Sequence, residues 1–117
     1  MIVDDSKDTR NLLKDILLIG RHEVVAEAVD GIDAIEKFST IKPDVLLLDV
    51  VMPKKDGLTA LKEIKKTHTN AKIIMITARA EMDMIQDCVA AGALAYIMKP
   101  FDVDRVLQSI SFALEEN

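Results

Sequence analysis

Five polar side chains stand at the ends of apolar runs, where a purely structural role is hard to assign to all of them. Asp4 and Asp5 follow Ile2-Val3, Asp49 follows Leu46-Leu47-Leu48, Thr77 follows Ile73 to Ile76, and Lys99 follows Ile97-Met98. Three carboxylates gathered within several ångströms repel one another by roughly 3–4 kcal/mol per pair at an effective dielectric near 20. A hard divalent cation with oxygen ligands removes that repulsion, and Mg2+ is the usual choice where a phosphoryl group is also present. Lys99 adds a compact positive charge and Thr77 a hydroxyl donor, both suited to the oxygens of a transferring phosphoryl group. The set describes metal-assisted phosphoryl chemistry with an aspartate as nucleophile.

Each residue also has a plainer reading. An Asp-Asp pair after a short strand serves as a turn or helix cap, threonine is at home in strands, and a lone lysine is an ordinary surface charge. Asp49 resists this treatment. Leucines precede it and Val50-Val51 follow, so a structural acid there would be unpaired in apolar surroundings at considerable cost.

The elements that must position these groups are legible as alternating β-branched runs and amphipathic helical patterns, the signature of βα units around a parallel sheet. Ile2-Val3 begins a strand, and Ser6 can cap a helix striped by Leu12, Leu13, Ile16 and Leu17. Residues 23–28 read as a second strand, followed by a helix marked by Ala34, Ile35 and Phe38. Val45 to Leu48 is the continuous apolar run of a strand covered on both faces. Met52-Pro53 and Asp56-Gly57 shape the loop after Asp49, with Leu58, Leu61 and Ile64 striping the next helix. Ile73 to Ile76 form a fourth strand, and a helix runs from about Met82 to a cap at Gly92. Ala95 to Met98 is the fifth strand. Val106, Leu107, Ile110 and Leu114 stripe a last helix closing near Glu116. The fold class is α/β, a three-layer (βα)5 sandwich, in which function gathers at the carboxyl ends of the strands. Four of the five strands deliver a chemical group to that edge.

Bulk properties narrow the function. The 117 residues make about one domain, and Lys plus Arg number 15 against 20 Asp plus Glu, a net charge of −5. That field repels phosphate backbones and anionic lipid, which argues against nucleic-acid binding. The single Cys88 closes no internal disulfide, which fits a reducing, cytoplasmic setting. His22 and His68 have no metal-ligand spacing. Neither export nor membrane insertion is indicated by the apolar stretches read here. Met82 and Met84 read as packing or partner-surface residues and Cys88 as a small buried hydrophobe.

The segments "VDDS", "LLLDVVMPKKDG", "IIMITA" and "AYIMKPF", in this order, resemble the receiver domain of two-component response regulators over essentially the whole chain. The resemblance implies a flavodoxin-like doubly wound sheet of order 2-1-3-4-5 and a phosphorylation-activated switch rather than an enzyme. It implies Asp49 as the phosphoacceptor, taking a phosphoryl group from a histidine kinase, a phosphotransfer protein or a small phosphodonor. The Mg2+ site would comprise Asp5, Asp4 directly or through water, Asp49 and the Val51 backbone carbonyl. Lys99 would pair with Asp49 and then with the phosphoryl group, Thr77 would move toward that group, and Tyr96 would swing inward behind it, although packing alone also explains Tyr96. Pro100 would follow a cis peptide, and Ala78 leaves the phosphoryl group room. The responding surface would be the fourth helix, fifth strand and fifth helix, acting on a downstream effector or output domain.

Val51 and Arg79 occupy the positions that tune phosphoryl lifetime in this family, and Val51 cannot orient an attacking water, so slow autodephosphorylation is expected. Gln108 and Ser109 do not resemble the charged pattern of regulators that dimerise through the last helix, which leaves a monomer. A haloacid-dehalogenase-like Mg2+ phosphatase would want an acid where Val51 stands. A flavodoxin-like cofactor carrier would want aromatics, which are only 3% of residues here. A receiver-like module that binds without being phosphorylated would not need the full set Asp4, Asp5, Asp49, Thr77 and Lys99. Residues 1–117 read as a single receiver domain whose first strand is short for its central place, with the native chain expected to begin upstream of Met1.

Overall fold

The computed structural model describes residues 1–115. The five strands are β1 (Ile2–Val3), β2 (Glu27–Ala28), β3 (Leu46–Leu48), β4 (Ile73–Thr77) and β5 (Ala95–Met98). They pair in parallel in the order β2-β1-β3-β4-β5. The five helices are α1 (Lys7–Ile19), α2 (Gly31–Ile41), α3 (Gly57–Thr67), α4 (Met82–Ala90) and α5 (Val103–Glu115). The expected helix end near Glu116 lies outside the described residues.

Alternation along the strands divides the core between two layers. Val3, Leu46, Leu48, Ile73 and Met75 face Ala34, Phe38, Leu61, Ile64 and Cys88 of α2, α3 and α4. Ile2, Leu47, Ile74, Ile76 and Ile97 face Leu13, Ile16, Leu17, Val106 and Ile110 of α1 and α5. Apolar on both faces, the central strands read in sequence as unbroken runs.

Local chemistry sets the ends of the helices. Ser6 Oγ accepts from Thr9 N (3.3 Å), Asp30 Oδ1 from Asp33 N (2.8 Å) and Asp56 Oδ1 from Thr59 N (2.8 Å), the N-capping geometry expected of these residue types. Helix α4 stops as expected, with Gly92 at φ +106° just beyond it, where a side chain would be strained. His68 caps α3 and lies 5.1 Å from the Phe38 ring, a packing role that its sequence position does not announce.

Two expectations need correction. The second strand covers only Glu27–Ala28 rather than residues 23–28, because β2 pairs only with β1 and finds just Ile2 and Val3 there. Leu12 and Leu114, expected in the buried stripes, are 51% and 45% exposed. Each lies one position from the buried set of its helix, a 100° step that turns it toward solvent. Among the described residues, no helix is long and apolar enough to cross a membrane.

Candidate functional site

The parallel ladder brings the ends of β1, β3, β4 and β5 to one edge. Ile2 and Val3 lie opposite Leu47 and Leu48, which places Asp4 and Asp49 just past adjoining strands. Leu48 lies opposite Met75, so Thr77 ends the neighbouring strand. Lys99 follows β5, its N–H donating to the Thr77 carbonyl at 2.9 Å.

At that edge Lys99 Nζ lies 2.8 Å from Asp4 Oδ2 and 3.0 Å from Asp49 Oδ2, bridging two buried carboxylates. Asp4 Oδ1 also accepts from Ser6 N at 2.9 Å, and Asp49 Oδ1 from Val51 N at 3.3 Å. Asp5 is exposed, and one carboxylate oxygen from each of Asp4, Asp5 and Asp49 lies within 4.8 Å of the others. One ammonium therefore faces three acids, leaving an excess of negative charge lined by hard oxygen donors. This donor set suits a Mg2+-like ion and not a thiolate- or imidazole-loving one.

Burial pushes the Asp4 carboxyl above its ordinary value, against the hydrogen bonds from Lys99 and Ser6 that favour the ionised form. For Lys99 burial acts to lower the value, but the hydrogen bonds to Asp4 and Asp49 outweigh it and hold the ammonium above the usual lysine value. The lysine is thus firmly charged, while one of its acids is kept less acidic than a free aspartate.

The loop after Asp49 is held close by a glycine. Gly57 N donates to the Val50 carbonyl at 2.8 Å, and a Cβ on Gly57 would overlap the Asp49 carbonyl, so no other residue fits without displacing the backbone that carries Asp49. Thr77 is fully buried, its Oγ1 accepting from Arg79 N at 3.3 Å. Tyr96 lies mid-strand in β5, outside the acidic cluster. Its hydroxyl donates to the Arg79 carbonyl at 2.7 Å, tying β5 to the loop that leaves Thr77. The Arg79 guanidinium pairs with Glu81 (2.7 Å) and Val51 is 54% exposed beside Asp49. The Lys99–Pro100 peptide is cis.

Sequence reasoning missed Arg10, whose Nη1 donates to the Asp4 carbonyl at 2.8 Å and whose Nε donates to Glu27 Oε1 at 3.0 Å. No signal in the sequence marks it, because its partners lie on other elements of the fold. Cys88 is buried as expected. Met84 packs on the core, as one of the readings expects, and Met82 is 65% exposed.

Comparisons with known proteins agree with this edge. The sequence model of the response regulator receiver domain matches residues 1–111. The chemotaxis protein CheY of Bacillus subtilis is 46% identical over 114 residues, covering 97% of this chain and 95% of that protein. Its namesake from Thermotoga maritima is 40% identical over 111 residues, covering 95% and 92%. Among solved structures, a chain of the CheX-CheY-BeF3-Mg2+ complex from Borrelia burgdorferi superposes with a TM-score of 0.94 at 36% identity, covering 98% of this chain and 87% of that one. The chain belongs to the response regulator receiver domain family, as a CheY-like phosphoacceptor switch whose acidic pocket is formed by Asp4, Asp5 and Asp49.

Proposed function

We propose that Asp49 accepts the phosphoryl group, from a phosphohistidine on a histidine kinase or phosphotransfer protein or from a small acyl phosphate. The observation that carries this reading is the Lys99 ammonium bridging Asp4 and Asp49 while Asp5 closes the acidic cluster. One Asp49 oxygen forms the new O–P bond as the donor's P–N or P–O bond breaks, and the leaving group departs with the bonding pair. Lys99 can exchange its contact with Asp49 for one with a phosphoryl oxygen, staying on Asp4. Thr77, ending the adjacent strand, supplies a hydroxyl to another phosphoryl oxygen.

Asp5 and Asp49, with Asp4 directly or through water and the Val51 carbonyl, would hold Mg2+. One oxygen of each of Asp4, Asp5 and Asp49 already lies within 4.8 Å of the others, and a hard cation with oxygen ligands would take such a donor set. When bound, Mg2+ neutralises the acids and stabilises charge on the transferring group.

A phosphoryl group adds about −1.5 to −2 of charge beside the loop between β4 and α4. Thr77 and Tyr96 bracket that loop through Arg79 N and the Arg79 carbonyl. Movement there reaches α4, β5 and α5, where Met82, Val89, Met98 and Phe112 are exposed apolar side chains available to an effector. Val51 offers no group to orient water, and Arg79 is engaged by Glu81, so the acyl phosphate is lost slowly. A monomer is the expected state. Ser109 faces the core, so Gln108 alone of that pair bears on the surface.

Acetyl phosphate with Mg2+, followed by intact mass, tests the reading. One added phosphoryl group is expected, persisting for minutes, with no repeated turnover of a chromogenic phosphate ester. Multiple turnovers, or loss of the label within seconds at pH 7, would contradict it.

A further inference from the structure

Asp5 is the acid of the pocket whose position is set by its own backbone alone. Its carboxylate has no hydrogen-bond or ion-pair partner among the described residues. Asp4, by contrast, is held at four points. Its N–H donates to the Ala28 carbonyl (3.1 Å), Oδ1 accepts from Ser6 N, Oδ2 from Lys99 Nζ, and its carbonyl from Arg10 Nη1 at 2.8 Å. The Asp4–Asp5 peptide is planar, so the direction of the Asp4 carbonyl fixes the plane in which the Asp5 nitrogen and Cα lie.

We propose that Arg10 is a positioning residue for the cation pocket: by gripping the Asp4 carbonyl it orients the Asp4–Asp5 peptide and aims the Asp5 carboxylate at Asp4 and Asp49. The inference rests on Asp4, Asp5 and Asp49 forming a cation-binding pocket. Arg10 is itself immobilised, with a side chain only 13% exposed and Nε on Glu27 Oε1 at 3.0 Å. Glu27 is anchored in turn by Lys14, 3.1 Å from Oε2, and by its place on β2 opposite Ile2. The guanidinium is a rigid planar fork, so the Glu27 contact determines how Nη1 meets the Asp4 carbonyl. A lysine at the same place would lack that second point of hold.

Positioning and bare charge predict opposite signs. A guanidinium near a cation pocket repels the cation, so if charge were all that mattered, removing it would tighten Mg2+ binding. If Arg10 aims Asp5, removing it weakens binding, because partners that orient a metal ligand typically control affinity by 10–100-fold.

The test is a Mg2+ titration followed by backbone amide NMR in wild type, Arg10→Met, Arg10→Lys, Glu27→Gln and Asp5→Asn. Arg10→Met is expected to weaken Mg2+ about tenfold, Glu27→Gln to weaken it in the same direction by less, and Arg10→Lys to recover part of the loss. Saturating Mg2+ restores the phosphorylation rate with acetyl phosphate in the Arg10 and Glu27 variants. In the metal-free state the Asp5 amide shifts and exchanges faster in Arg10→Met while the Asp49 and Lys99 amides hold their positions, a local pattern that general loosening would not produce. Unchanged or tighter Mg2+ binding in folded Arg10→Met overturns the proposal. If Arg10→Met does not fold, unchanged or tighter binding in Glu27→Gln overturns it. Asp5→Asn separates the two levels of the claim. Retained affinity there overturns the pocket itself, whereas lost affinity there with unaffected Arg10 and Glu27 variants overturns only the positioning role.

Discussion

Asp5→Asn is expected to stabilise the metal-free protein while removing a functional group. The acids of the pocket have oxygens within 4.8 Å of one another, a distance at which two unit charges repel by about 0.9 kcal/mol in bulk water and about 3.5 kcal/mol at an effective dielectric near 20. Lys99 bridges Asp4 and Asp49 and offsets about one of their two charges, so Asp5 faces roughly one uncompensated neighbour. Asp5 is exposed, which draws the value toward the lower end, to about 1–2 kcal/mol. With no partner to lose, Asn in its place leaves no orphaned group. The expected gain is about 4–8 °C in Tm for a chain of this size, measured with chelator present. Added Mg2+ raises the wild-type Tm by mass action and leaves the variant nearly unmoved, so the ranking of the two proteins narrows or inverts. An Asp5→Asn protein no more stable than wild type without metal, or a Tm raised equally in both by Mg2+, would show that Asp5 neither strains the pocket nor binds the ion.

Gly57→Ala is expected to cost about 1–3 kcal/mol, because the new methyl overlaps the Asp49 carbonyl; urea unfolding measures it, and an unchanged midpoint contradicts the close approach. Burial holds Asp4 above the ordinary aspartate value, so protons compete with Mg2+ at higher pH than for a free aspartate near 3.9. Calorimetric titrations at falling pH will show Mg2+ affinity declining before that value is reached, and Asp4→Asn removes this part of the profile. Lys99 is held above the usual lysine value by Asp4 and Asp49 despite burial, so its stabilising contribution is complete below about 10.4 and is lost as pH rises through the higher folded value. Urea unfolding between pH 9 and 12 is expected to show an alkaline loss in wild type that is smaller in Lys99→Met. Tyr96→Phe removes the hydroxyl that bonds the Arg79 carbonyl at 2.7 Å; a loss of about 1 kcal/mol is expected, together with weaker effector binding by the phosphorylated form.

The strand-end chemistry was legible because each functional residue interrupts an apolar run. Asp49 after three leucines and Lys99 after Ile97-Met98 declare themselves by contrast with their neighbours, and the ladder register then brings them together. The cap at Ser6 was legible for a similar reason, since a side chain bonding its own backbone three residues on is a local event. The extent of β2 was hidden because an edge strand lasts only as long as its neighbour offers residues, and β1 offers two. The exposure of Leu12 and Leu114 depends on a rotation of one residue about the helix axis, which a broad apolar stripe leaves open. Arg10 was invisible because its partners, Asp4 and Glu27, lie on β1's end and on β2. Its role exists only once α1 packs across both, and no spacing in the chain encodes that.

Asp49 as the carrier of the phosphoryl group can be tested chemically. Borohydride reduces an aspartyl phosphate to homoserine, so treating the acetyl phosphate-labelled, Mg2+-loaded protein with borohydride and sequencing its peptides by mass reads the acceptor directly. Homoserine is expected at position 49 alone, with no phosphoryl gain in Asp49→Asn. Reduction at Asp4 or Asp5, or undiminished labelling of Asp49→Asn, would contradict it.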